Sequence, residues 1–150
     1  MNAHDTINDV LVYLFNEIWE LEEQAIITEE FRDITNNDMH VLEAVGLSGN
    51  NMSAIAKKLN ITVGSLTTPM NSLVKKHYVD RSRSEEDRRV VNINLTAKGR
   101  RAYDHHKDFH DQMTEAVIQH LSGPEVEVLA HALDNLSDFF RTYGNRQKTK

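Results

Sequence analysis

The sequence predicts a mainly helical chain with one small β-hairpin near its middle. Three observations carry this. Apolar residues recur at three- and four-residue spacing through most of the 150 residues. One short stretch alternates instead: Val91, Ile93 and Leu95 interleave with Asn92 and Asn94, the period of a strand. Capping residues stand where the helical runs begin.

The elements follow in chain order. Residues 5–30 are predicted as a long helix, with Ile7, Val10, Leu11, Leu14, Phe15, Ile18 and Leu21 on one face and acids on the other. Thr35 suits a helix N-cap, with Asp38 three residues on, and "SGNN" ends that helix. The segment "MSAIAKKLNITVGSLTTPMNSLVKKHYV" reads as two short helices joined by "NIT". Ile55, Ala56 and Leu59 form the inner face of the first, and Leu66, Met70, Leu73 and Val74 that of the second. Ile61 is expected to plug the corner, and Thr62 to cap the second helix through its hydroxyl. Two helices joined by so short a turn make a helix-turn-helix. Pro69 falls inside the second helix. It lacks an amide donor and crowds the carbonyl of Ser65, so a kink or local break is expected.

"YVDRSRS" and "RRVVNINLT" flank the charged turn "EED" and form the hairpin, a wing directly after the helix-turn-helix. Thr96 can cap a long helix over 97–121. Ser122 with Glu125 has capping-box spacing and opens a last helix striped by Val126, Leu129, Leu133, Leu136, Phe139 and Phe140. The predicted architecture is one domain. A winged helix-turn-helix over about 36–96 is flanked by end helices over about 5–30 and 97–142. The tail "GNRQKTK" is expected to lack fixed structure.

The net charge of −6 is unevenly spread. Residues 1–56 carry one Arg and eleven acids. Residues 57–101 carry eleven Lys and Arg against four acids, and residues 102–150 five bases against eight acids. A basic middle between acidic ends suits a polyanion, although a solvated mixed-charge surface has the same composition. The absence of cysteine excludes disulfides and thiolate metal sites. No apolar run approaches the roughly 18 residues of a membrane span, and the first ten residues lack a signal-peptide pattern, so a cytoplasmic protein without membrane partners is expected. There is no nucleophile elbow, phosphate-binding glycine loop or paired metal motif, which argues against an enzyme and against a resident cofactor.

The wing stretch "DRRVVNINLTAKG", with Asp87, Arg89, Leu95, Thr96 and Gly99 at fixed spacing, resembles the MarR family of transcription regulators, as does "SAIAKKLNITVGSLTTPMNSLVKKHYV". The likeness covers nearly the whole chain. Within the family, "DMH", "ITVGSLTT", "RSEEDRRVV" and "HKDFH" are similar to the fatty-acid-synthesis repressors. That resemblance implies a homodimer on a DNA palindrome, with a long-chain acyl group on acyl carrier protein as co-repressor. It also implies that Arg89 enters the minor groove with Asp87 orienting it. His77 departs from the family's helix-ending glycine, so strain is expected at that corner.

Candidate DNA-binding residues are then Thr62, Gly64, Ser65, Thr67, Thr68, Asn71 and Lys75 on the second helix, and Arg81, Arg83, Asp87, Arg88 and Arg89 on the wing. Short hydroxyls, an amide and a base reach base edges and phosphates without bulk, and Gly64 permits close backbone approach. Arginine suits phosphates and the narrow minor groove. Some of the Ser and Thr residues are simply solvated, and a surface salt-bridge cluster is the other reading of the wing. The end-helix stripes exceed what one winged helix covers, which fits burial against a two-fold mate; packing within one subunit is the alternative.

For an acyl effector, candidate pocket residues are Phe15, Trp19, Met39, Leu42 and Phe109, each of which also suits a solid core. An acidic carrier protein would dock on Lys98, Arg100, Arg101 and Lys107, which could equally contact DNA phosphates. His106 and His110 have the i, i+4 spacing of metal ligands, with His40 on another helix and Glu20 or Glu23 as a further ligand. Packing or surface histidines are the other reading.

Overall fold

The computed structural model describes residues 1–148. Asn2 caps α1 (Ala3–Asp9) by accepting the Asp5 amide at 3.0 Å. One π-helical turn, Val10–Leu14, carries the chain directly into α2 (Phe15–Ile26). The helix stops four residues before the predicted end. Ile27 is extended (φ −73°, ψ 103°), and the chain folds back so that Phe31 and Ile34 enter the core.

Thr35 and Asp38 form the predicted capping box of α3 (Asn36–Val45), each side chain accepting the other residue's amide at 3.1 Å. The "SGNN" break holds a strand that the sequence reading missed, β1 (Asn50–Asn51). Asn51 then caps α4 (Met52–Leu59), accepting the Ala54 amide at 2.8 Å, and a left-handed Asn60 (φ 55°) ends it. Thr62 caps α5 (Val63–Lys75) as expected, accepting the Ser65 amide at 3.0 Å. Ile61 does not plug the corner and is exposed; Leu66, Met70 and Leu73 fill the interior instead.

The break expected at Pro69 does not occur, and α5 runs through it. The carbonyl that loses its donor belongs to exposed Ser65, where water can satisfy it, while Leu66, Met70 and Leu73 pin the helix on both sides of the ring. The helix ends through His77, a non-glycine with φ 66°, so the expected corner strain is present.

β2 (Val79–Arg83) and β3 (Val91–Leu95) pair antiparallel, from Val79 opposite Leu95 to Arg83 opposite Val91. β3 is the central strand, with β1 on its other edge, Asn50 opposite Ile93. Ile93 and Leu95 face the core, as their alternation requires. α6 (Ala97–Ile118) begins where the Thr96 hydroxyl accepts the Gly99 amide at 3.1 Å and donates to the His77 carbonyl at 2.6 Å. A side chain on Gly99 would collide with the Tyr78 carbonyl oxygen, so this helix start requires glycine. The Ser122 amide and hydroxyl donate to Glu125 at 2.8 and 2.7 Å, opening α7 (Gly123–Lys148) and holding the Glu125 carboxyl below its usual range.

Residues 144–148 extend α7, contrary to the expected loose tail; residues 149 and 150 lie outside the described residues. The chain divides into two compact units, Met1–Phe109 and His110–Lys150, with the boundary inside α6. The first unit holds the buried core, from Ile26 to Ala102. In the second, α7 carries exposed Val128, Leu129, Leu133, Phe139, Phe140 and Tyr143.

Candidate nucleic-acid interface

The apolar spacing of α5 turns Leu66, Met70 and Leu73 inward and leaves the opposite face polar. All seven sequence-selected residues there, Thr62, Gly64, Ser65, Thr67, Thr68, Asn71 and Lys75, are exposed. Three of their hydroxyls also serve the helix. Thr62 donates to Ser65 Oγ at 2.9 Å, and Thr67 donates to the Val63 carbonyl at 3.0 Å. A Cβ on Gly64 would meet only Thr62 Oγ1, at 3.8 Å, so nothing inside the chain demands glycine there.

The wing brings its arginines to the same side. Arg81 donates to Asn71 Oδ1 at 2.6 Å, which ties β2 to the polar face of α5. Arg83 donates to the Arg88 carbonyl at 2.8 Å across the hairpin. Asp87 accepts the Arg89 amide at 3.0 Å and grips its guanidinium through both carboxylate oxygens at 3.1 Å. Those bonds from Arg89 hold the Asp87 carboxyl below its ordinary range. The Arg89 side chain is still 91% exposed, so it is aimed rather than buried. Between α5 and the wing lies an open concavity of about 670 Å³, lined among others by Ser53, Thr67, Arg81, Arg83 and Arg89.

Tyr78 sets the angle at which the wing leaves α5. It is fully buried, its amide donates to the Leu73 carbonyl at 3.0 Å, and its carbonyl accepts the Thr96 amide at 3.0 Å. Its hydroxyl donates to Asp33 at 2.7 Å, and Lys98 lies 4.4 Å over its ring and 3.9 Å from Asp33. The Tyr78 bond holds the Asp33 carboxyl low, with Lys98 adding to it; burial, then the Asp33 bond, pushes the tyrosine hydroxyl up. The sequence reading missed Tyr78 and Asp33, because nothing local marks partners 45 residues apart.

The remaining candidates do not gather into one site. Met39 and Leu42 are solid core, Phe15 and Trp19 lie on an exposed face, and Phe109 is half-buried. None of the five lines the concavity beside the wing. Lys98, Arg100 and Arg101 of the carrier-docking cations are engaged within the chain. Lys98 pairs with Asp33, Arg100 donates to the Leu47 carbonyl at 2.9 Å, and Arg101 pairs with Glu30; Lys107 is exposed.

The histidines divide. His106 is 1% exposed, and its Nε2 lies 3.2 Å from Glu22 and 2.7 Å from Glu43. His40 approaches it edge-on, ring centroids 6.3 Å apart. Neither Glu20 nor Glu23 is the carboxylate that turns inward. Glu20 accepts from Asn16 at 3.1 Å and both are exposed, whereas Glu22 shares the buried face of α2 with Ile26, one turn on. His110 follows His106 by one turn of α6.

Fold and site together define a winged helix-turn-helix regulator of transcription. Residues 24–106 match the family model "Transcriptional regulator SarA/Rot", and the chain belongs to that family, of MarR-type winged-helix regulators. It is similar to Streptococcus pneumoniae FabT, solved in complex with DNA, at 37% identity and TM-score 0.85 over 93% of this chain and 98% of that one. It is also similar to Staphylococcus aureus MepR in a DNA complex, at 27% identity and TM-score 0.66 over 84% of this chain and 95% of that one. The Bacillus subtilis regulator PchR is 28% identical over 98 residues, 63% of this chain and 58% of PchR. The chain thus spans between half and two thirds of that relative's length. No described helix is long and apolar enough to cross a membrane.

Proposed function

We propose that the protein is a dimeric, sequence-specific DNA-binding repressor of fatty-acid-synthesis genes, with long-chain acyl-acyl carrier protein as its co-repressor. The observation that carries DNA binding is the shared face of α5 and the wing. Seven small or polar residues stand exposed beside four exposed arginines, one held by a two-oxygen carboxylate grip. α5 enters the major groove, where Thr68 and Asn71 meet base edges and Lys75 a phosphate. Gly64, which the chain itself does not require, leaves room for a backbone to approach DNA. Arg89 enters the minor groove, where negative potential is concentrated.

Dimerisation is supported by apolar surface that a soluble monomer rarely leaves open. Leu11, Leu14 and Phe15 are exposed in the first unit, and Leu129, Leu133, Phe139 and Phe140 in the second. A two-fold mate covers them and sets two recognition helices about one DNA turn apart. The fatty-acid reading is supported by the 37% identity to FabT over almost the full chain. Docking an acidic carrier on Lys98, Arg100 and Arg101 would require these cations to leave their present partners.

Fluorescence anisotropy on a palindromic fatty-acid-synthesis promoter fragment, with and without long-chain acyl carrier protein, tests both parts. The proposal expects binding that the acyl carrier tightens at least about tenfold. Binding indifferent to the carrier removes the co-repressor and leaves a MarR-type regulator with another effector; no binding removes the whole reading.

A further inference from the structure

We propose that Arg81 is a positioning residue for sequence recognition. It fixes the Asn71 amide so that Asn71 offers DNA a donor and selects a base whose major-groove edge is an acceptor. The inference deepens the DNA-binding reading above and rests on it.

The pairing follows from the register of the wing. Arg81 stands opposite Ile93, and opposed residues of an antiparallel pair project from one face. Ile93 is fully buried, so Arg81 leaves the hairpin on its inner face, toward the helix-turn-helix, while its own side chain stays exposed. On α5, Asn71 follows the fully buried Met70 and lies one turn after Thr67, on the exposed face. The two side chains meet at 2.6 Å, Arg81 Nη2 donating to Asn71 Oδ1. A guanidinium has only donors, so the amide atom that faces it has to be the oxygen. The charge on the donor makes this bond stronger than one between neutral groups.

That bond decides what Asn71 presents. A free asparagine amide turns over and offers its oxygen, its NH2 or both. Both together read adenine, the oxygen accepting from N6 and the nitrogen donating to N7. With Oδ1 held by the wing, Nδ2 and its two hydrogens face away from it. The major-groove edge of guanine presents two acceptors, N7 and O6, and that of thymine presents O4; that of cytosine presents only the N4 donor. Asn71 held in this way favours guanine or thymine over cytosine and loses its usual advantage with adenine. Arg81 acts here without touching the base. An exposed contact adds little to stability, so its loss is read in specificity rather than in melting temperature.

The test is selection by the full chain from a random duplex library at low salt, where wing variants still bind, followed by sequencing of the bound duplexes. Wild type, Asn71→Ala and Arg81→Ala are compared. In the wild type, the base position that depends on Asn71 is expected to carry guanine or thymine at least about fivefold over cytosine. Asn71→Ala and Arg81→Ala should both flatten that same position, leave the rest of the selected sequence unchanged and melt at the wild-type temperature. An Arg81→Ala profile identical to that of the wild type overturns the inference, because it reduces Arg81 to a phosphate contact. So does an Arg81→Ala effect at a position that Asn71→Ala leaves intact, and so does adenine or cytosine at the Asn71-dependent position. A wild type that enriches no sequence removes the DNA-binding reading itself, which separates the two failures.

Discussion

Two carboxylate contacts in this molecule lie in opposite surroundings. At the wing tip, Asp87 grips Arg89, and the arginine side chain is 91% exposed. Inside the first unit, Glu22 and Glu43 close on His106, which is 1% exposed. In water such a pair adds little to stability, so the Arg89 guanidinium can exchange some of its contact with Asp87 for a phosphate or a groove at small cost. In the interior, removing one partner leaves the other desolvated, so the contact persists and ties α2, α3 and α6 together. The exposed pair can exchange its partner at little cost, whereas the buried one holds helices together.

The largest expected effect breaks the buried side. His106→Ala should lower unfolding stability by about 3 kcal/mol in urea titration, because it removes a fully buried ring and its contact with the buried Glu22 and opens a cavity. A loss near zero would mean that Glu22 relaxes to solvent and the cluster ties nothing.

Tyr78→Phe tests the joint between the two regions. It removes the hydroxyl that meets Asp33 and should cost about 1 kcal/mol at neutral pH. The pH dependence has a definite sign. Asp33 is held low, so its share of the stability is present above the ordinary carboxylate range and is lost as pH falls through its depressed value. Tyr78 is pushed up, so its share is present below the ordinary tyrosine value near 10 and is lost only as pH rises through the raised one. Urea titrations should therefore give a flat difference between wild type and Tyr78→Phe from about pH 5 to 9, shrinking on either side. A difference that varies steeply near pH 7 would assign the effect to another group.

Asp87→Asn should have the smallest effect. One oxygen of the grip remains an acceptor, so the melting temperature should stay unchanged while DNA affinity falls only a few-fold. A large drop in melting temperature would show that the pair stabilises the fold, against the comparison drawn above.

The same contrast explains what was legible in the sequence. Caps are local, so Thr35, Thr62, Thr96 and Ser122 were readable from spacing alone. The polar face of α5 was readable because its apolar stripe fixes the opposite side. β1 was not, since two asparagines carry no alternation and pair only because β3 lies beside them. At Pro69 the local rule predicted a break, and packing by Leu66, Met70 and Leu73 overrode it. The metal reading named His40, His106 and His110 with Glu20 or Glu23, whereas the carboxylates beside His106 are Glu22 and Glu43. Only the end of α2 at Ile26 and its approach to α3 turn Glu22 inward and bring Glu43 within 2.7 Å. The partners of Lys98, Arg100 and Arg101 were not legible either, because Asp33, Leu47 and Glu30 reach them from distant parts of the chain.

The central claim is that α5 and the wing together bind duplex DNA, and its most direct test is a salt series of anisotropy titrations on a palindromic duplex, wild type beside Arg89→Ala. The account predicts steep salt dependence for the wild type, with Arg89→Ala bound at least about tenfold more weakly and its log–log slope reduced by about one. Equal affinity and equal slope for the two proteins would contradict it.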